Sequence, residues 1–397
     1  MSVSILFTHG ASPHKRSNKT IDKYWIIVYN SAMNTMAEYT EWTTLASFLP
    51  SGWKDEAYAL KALQRTRKIK NAETLLRLLL MHLSDGVSMR NTVATAKETG
   101  LCDINDVALL HRLKVSGRWL RWIAHQLVVG LRKRDREPEQ QPKFRVRLVD
   151  GTVVSEPGAT GTDWRLHYSL ELETLRCDSF LVTSAKEGET LRRFKVQAGD
   201  LLLADRGYCG RNGIVHVVES GGHAVVRYHS TNLPLHNRRG HRWDPLKHLR
   251  KLAVGKVGDW DVWLRHPETG HLVKGRLCTV RKSAEAAAKA RHKVRRKASK
   301  EMNALKKETL EHAGYVTVFT TVNRHALSGK QVLSLYRDRW QIELVFKRLK
   351  GLVKLGALPK TEGESCKAWL HGKLVIALLA EHLHREAEFF SPWGYPL

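Results

Sequence analysis

The chain has 397 residues, with 66 Lys and Arg against 39 Asp and Glu, a formal charge of +27 and a pI near 10.0. Because 42% of its residues are hydrophobic, it can build two or three cores, which excludes a disordered basic tail. The charge balance favours a polyanionic partner, nucleic acid before an anionic membrane surface, and no apolar run approaches the roughly 20 residues of a membrane span.

Residues 1–35 read as a poorly organised leader, with Met33 and Met36 as alternative starts. From 36 to 135 apolar residues recur at helix spacing, in 57–67, 71–84, 88–99, 105–114 and 116–131. Short basic helices separated by Gly100 and by 114–117 suggest a helix-turn-helix-like DNA-binding domain. Residues 132–141 are charged, contain Pro138, and read as a linker.

The periodicity then changes to two. A strand over 144–149 ends at Asp150-Gly151-Thr152, and further strands are expected over 164–172 and 179–183. Residues 188–197 predict a short amphipathic helix. The continuous apolar run 201–204 predicts a strand buried on both faces that stops at Asp205-Arg206-Gly207-Tyr208. Each of two strands thus delivers an aspartate at its C-terminal end. If the strands are neighbours, Asp150 and Asp205 lie side by side where open α/β sheets place their sites; the plainer reading is that strands end in such sequences because turns favour Asp and Gly.

Residues 213–314 read as an insertion, with strand-like pieces at 223–228, 259–266 and 272–281 and a basic helix over 282–310 that suits nucleic acid contact. His236, His241 and His248 lie loosely around Asp244 without a compact ligand pair. The strand 315–322 follows, then a helix carrying Tyr336, Arg339, Glu343 and Lys350 at offsets of three, four and seven, which places them on one face of an unbroken helix. Ion pairing on a solvated amphipathic helix would explain that face equally well. A last helical segment spans 364–387. Cys102, Cys177, Cys209, Cys278 and Cys366 are scattered, which fits a reducing cytoplasm and neither a disulfide framework nor a zinc ribbon.

Asp150, Asp205 and Glu343 supply three hard oxygen ligands of the kind that hold Mg²⁺ or Mn²⁺. Two such ions about 3.5–4 Å apart can activate a water or a 3′-hydroxyl for in-line attack at phosphorus.

Tyr336, Arg339, Glu343 and Lys350 spell Tyr, two residues, Arg, three residues, Glu, six residues, Lys, within the context Tyr-Arg-x-Arg-Trp-x-Ile-Glu. With Asp150-Gly-Thr and Asp205-Arg-Gly-Tyr before it, the chain resembles bacterial DDE transposases of the insertion-sequence-four family over roughly residues 40–385. The resemblance implies an α/β, ribonuclease H-like mixed-sheet core in two parts, 142–212 and 315–360. A β-rich insertion interrupts the core, the all-helical domain precedes it, and a C-terminal helix and tail, 361–397, follow. It implies Asp150, Asp205 and Glu343 as catalytic ligands of two Mg²⁺, with Mn²⁺ able to substitute, and Tyr336, Arg339 and Lys350 as holders of DNA phosphates. It further implies nicking at the element's end, attack of the freed 3′-hydroxyl on the other strand (a hairpin in close relatives) and transfer into target DNA. The partners would be the terminal inverted repeats, target DNA and a second protomer in the synaptic complex, in the bacterial cytoplasm on the nucleoid. Trp340 suits either stacking on a displaced base or core packing. A ribonuclease H-like nuclease or resolvase without strand transfer, and a non-catalytic DNA-binding relative, are the alternatives.

Overall fold

The structure is a computed structural model that describes residues 39–85, 87–134, 144–158, 163–356, 358–359 and 363–389. The expected leader and most of the expected linker lie outside the described residues. The chain divides into two compact units, one of residues 134–347 and one joining 1–133 to 348–397.

The helical unit begins with α1 (Tyr39–Ser47), α2 (Trp53–Ala59), α3 (Ala72–Asp85), α4 (Met89–Glu98), α5 (Asp106–Val115) and α6 (Gly117–Arg134). Side-chain caps start the short helices: Ser88 Oγ accepts from Asn91 N at 3.2 Å, and Asn105 Oδ1 accepts from Ala108 N at 2.8 Å. The leucine run of α3 is wholly buried, and Trp119 stacks on Trp53 with its indole donating to the Trp53 carbonyl at 2.9 Å. Helix α6 continues to Arg134, so the segment expected as linker from 132 begins as helix.

The other unit is built on one nine-stranded sheet in the order β3-β2-β1-β4-β5-β9-β8-β7-β6. Its strands are β1 (Arg145–Ser155), β2 (Asp163–Glu171), β3 (Cys177–Ser184), β4 (Asp200–Ala204), β5 (His223–Arg227), β6 (Leu235–His236), β7 (Val257–Arg265), β8 (Leu272–Arg281) and β9 (Tyr315–Thr320). Strands β1, β4 and β5 run parallel, and the other pairings are antiparallel. Between β4 and β5 lies α7 (Arg211–Glu219); the later helices are α8 (Pro245–Leu249), α9 (Ala284–Lys300), α10 (Lys307–His312), α11 (Gly329–Arg337) and α12 (Trp340–Gly351). The division between the units falls within α12, at 347/348. Helix α13 (Gly363–Phe389) completes the helical unit by packing on α3 and α5, and its 374–380 run is buried throughout. This mixed α/β sheet with a helical N-terminal region is compatible with the expected ribonuclease H-like architecture.

Several elements differ from the sequence expectations. Strand β5, expected within the segment 213–314, hydrogen-bonds directly to β4 and so extends the central sheet. Strands β8, β7 and β6 continue the same sheet beyond β9. Residues 188–197 form only a 3₁₀ turn, Leu191–Arg193, and the basic segment 282–310 is two helices, α9 and α10. The signature helix is broken. Asp338, Arg339, Gln341 and Ile342 donate backbone hydrogen bonds three residues back, so two tight turns separate α11 from α12.

Candidate active site

The last parallel pair between β1 and β4 is Val149 with Ala204, so Asp150 and Asp205 follow at adjacent positions of neighbouring strands. The two chains then part. Strand β1 runs on against β2, with Asp150 opposite Tyr168 and Gly151 opposite His167, so it does not end at Asp150 as expected. Strand β4 stops, and Asp205 caps the turn Arg206–Tyr208 by accepting from Gly207 N at 2.8 Å. Asp150 Oδ1 accepts from Gly151 N at the same distance. Burial and the charge of Asp205 raise the Asp150 pKa to about 7, against the smaller opposing pull of the Gly151 N–H and Arg339.

Glu343 arrives from the other side. A capping box starts α11, in which Ser328 Oγ receives Gln331 N and the Gln331 side chain receives Ser328 N. Buried Arg276 holds the preceding loop, donating to the Val322 and Leu327 carbonyls at 3.0 and 2.8 Å while paired with Asp259. One turn past Glu343, Phe346 meets Tyr168 edge-on at 6.1 Å, packing α12 on the strand position that faces Asp150. At the break between the helices, Arg339 donates to Asp150 Oδ2 at 3.3 Å and to Glu343 Oε1, bridging the two carboxylates.

Tyr336 closes α11 half-buried beside Arg339 and Arg227; burial keeps its hydroxyl protonated against the pull of those cations. Lys350 is exposed on α12, two turns beyond Glu343, in the portion that belongs to the helical unit. Sequence reasoning missed Glu189, which reaches the same place from the loop between β3 and β4 and pairs with Arg165 at 3.5 Å. Behind Gly151 the Tyr208 hydroxyl lies 3.3 Å from His167 Nδ1, whose other ring nitrogen lies 3.1 Å from Thr183 Oγ1. Burial, then Arg193 and Arg165, pull that imidazole down to about 4, so it backs the site as a neutral group.

The donor set suits a divalent cation in chemistry: hard carboxylate oxygens, one pair of which has already gathered a guanidinium. As they stand, no three Asp, Glu, His or Cys side chains among the described residues converge on one ion, and Arg339 lies between Asp150 and Glu343. Beside Arg206 and Arg227 a cavity of about 380 Å³ adds Lys282 and Lys297 to the cationic surroundings, and the Thr317 hydroxyl in its wall is buried without a partner.

Residues 182–379, which include Asp205 and Glu343, match the family model described as a transposase DDE domain. The chain is 34% identical over 336 residues to a transposase for the insertion sequence element IS421 of Escherichia coli, spanning 83% of this chain and 90% of that protein. It is likewise 34% identical over 335 residues to InsL of E. coli strain K12, provisionally named as the transposase for the element IS186A, with the same shares covered. A transposase for the element IS1151 of Clostridium perfringens is 24% identical over 208 residues, 48% of this chain and 43% of that protein.

Proposed function

The chain belongs to the DDE transposases, enzymes that act on DNA and depend on a divalent metal, and on that premise we propose that it moves an insertion element of the insertion-sequence-four kind by a DDE two-metal mechanism. The observation that carries this reading is the register of β1 and β4, which sets Asp150 beside Asp205 while Arg339 ties Glu343 to the first of them. Two Mg²⁺ held by Asp150, Asp205 and Glu343 would supply Lewis-acid stabilisation of the attacking and leaving oxygens at the phosphorus.

The protein's own part is positional and electrostatic. Asp150 must give up its proton to serve as a ligand, and Arg339 must release Asp150 and Glu343. The freed guanidinium is then placed to grip a DNA phosphate through its planar fork. Tyr336, kept protonated, donates its hydroxyl to a second phosphate oxygen, and Lys350 adds a point charge further along α12. Terminal inverted repeats, target DNA and a dimeric synaptic complex complete the reading. The helical unit is the proposed end-binding part, in keeping with its basic helices.

The reading is tested by nicking of a duplex made from the DNA that flanks this reading frame. Nicking is expected only with a divalent cation and is expected to leave a 3′-hydroxyl at the element's end. Binding of the cation to the metal-free protein should strengthen as pH rises toward about 7, because below that value Asp150 holds a proton that it must release to ligate. Nicking in the presence of a chelator would contradict it.

A further inference from the structure

Backbone conformation does not explain the glycines that follow the two strand aspartates. Neither Gly151 nor Gly207 has a positive φ; β1 runs straight through the first, and the second sits in the turn after β4. What they leave room for is Glu189. A Cβ on Gly207 would stand 1.9 Å from Glu189 Oε2, and a Cβ on Gly151 would stand 3.1 Å from Glu189 Oε1 and 3.2 Å from the Tyr208 hydroxyl. The carboxylate is therefore lodged between the two backbones that carry Asp150 and Asp205, one oxygen toward each.

A structural ion pair with Arg165 accounts poorly for this placement. The closest approach of the pair is 3.5 Å, through Nη1, while Arg165 Nε is buried without a hydrogen-bond partner. An arginine recruited to neutralise a carboxylate presents two parallel N–H groups. Instead, Glu189 stands close enough to Asp150 and Asp205 for the charges to act on one another, and its side chain is 24% exposed.

We propose that Glu189 is a fourth carboxylate of the cation site, closing on a divalent ion together with Asp150 and Asp205, which as they stand do not yet converge on one point. The inference rests on reading Asp150, Asp205 and Glu343 as cation ligands. It also gives the glycines of Asp150-Gly-Thr and Asp205-Arg-Gly-Tyr a shared purpose: each keeps clear the space that this carboxylate occupies.

The test is Mn²⁺ binding to the metal-free full-length protein, measured by calorimetry, for the wild type, Glu189→Gln, Gly207→Ala and Asp205→Asn. Glu189→Gln is expected to weaken Mn²⁺ binding by about 10–100-fold, the scale on which groups around a metal act. Its metal-free melting temperature should stay the same or rise, since a repelling charge has gone. Gly207→Ala keeps every acid yet displaces this one, so it should weaken binding in the same direction, and it decides the matter if the glutamine variant does not fold. Wild-type affinity in both Glu189→Gln and Gly207→Ala, with Asp205→Asn weakened, would overturn the role of Glu189 alone. Unchanged affinity in all three would overturn the underlying site. A lower melting temperature with unchanged Mn²⁺ binding would make Glu189 a structural partner of Arg165 and also overturn the proposal.

Discussion

Glu343→Ala is expected to slow DNA cleavage by about 10³-fold or more, the scale of removing a preorganised partner of transition-state charge. Binding to the element's end should change little. Glu343 stands 54% exposed at the first turn of α12, so truncation leaves no core cavity and the loss can be assigned to chemistry. Its present partner, Arg339, keeps Asp150 as a second acceptor and stays placed to meet phosphate. Groups that act as one unit fail together, so Asp150→Ala combined with Glu343→Ala should be little worse than either alone. Single-turnover nicking with end binding measured in parallel separates the outcomes. Cleavage retained by Glu343→Ala would remove it from the site.

Arg147→Ala is expected to destabilise the α/β unit by about 3 kcal/mol, the cost of leaving two buried carboxylates with Arg145 as their one remaining cation. Arg147 is 1% exposed, three residues before Asp150 on β1. It pairs with Asp178 at 2.5 Å and Asp200 at 2.8 Å, and donates to the Lys195 carbonyl at 2.7 Å. Arg145 adds a second grip on Asp200 through two nitrogens, at 2.7 and 3.0 Å. Burial alone would raise the Asp200 pKa, but the Arg145 hydrogen bond, the Gln197 N–H and Arg147 together hold it below the ordinary carboxylate range. A depressed carboxyl contributes stability that is present above its unfolded pKa and lost as pH falls through the folded one. The wild-type advantage over Arg147→Ala should therefore shrink in acid below about pH 4. In a unit of this size the loss at neutral pH corresponds to a fall in melting temperature on the order of 10 °C. Urea titration reads the same difference, and a change under about 1 kcal/mol would mean the cluster is better hydrated than its burial implies.

The strands that carry the aspartates were legible because their pattern is local. The run 201–204 is apolar without alternation, and β4 is buried on both faces between β1 and β5. Strand β5 was assigned to the insertion because what places it is pairing with β4, and strand pairing leaves no mark within five residues of sequence. The alternation that stops at Val149 places Asp150 at a strand end, yet β1 continues for five more residues since β2 is there to pair with it. The break between α11 and α12 was hidden by composition: Asp338, Arg339 and Trp340 are all tolerated in helices, and only the tertiary pairing of Arg339 with Asp150 shows how the turn is used. Glu189 follows Gly188 in a segment whose spacing suggests a short amphipathic helix but which folds as a loop before the 3₁₀ turn Leu191–Arg193, so its pattern does not mark it as a site residue. The one trace it left was a pair of glycines after two aspartates, which turn chemistry seemed to explain.

Strand transfer separates a DDE transposase from a nuclease that shares its metal site. A pre-cleaved element end bearing a 3′-hydroxyl, incubated with the protein, Mg²⁺ and a supercoiled plasmid, should yield the end covalently joined to plasmid DNA. The yield should vanish in Asp150→Ala, Asp205→Ala and Glu343→Ala alike. Hydrolysed plasmid without joined product, or joining that survives loss of any one of the three carboxylates, would contradict the assignment.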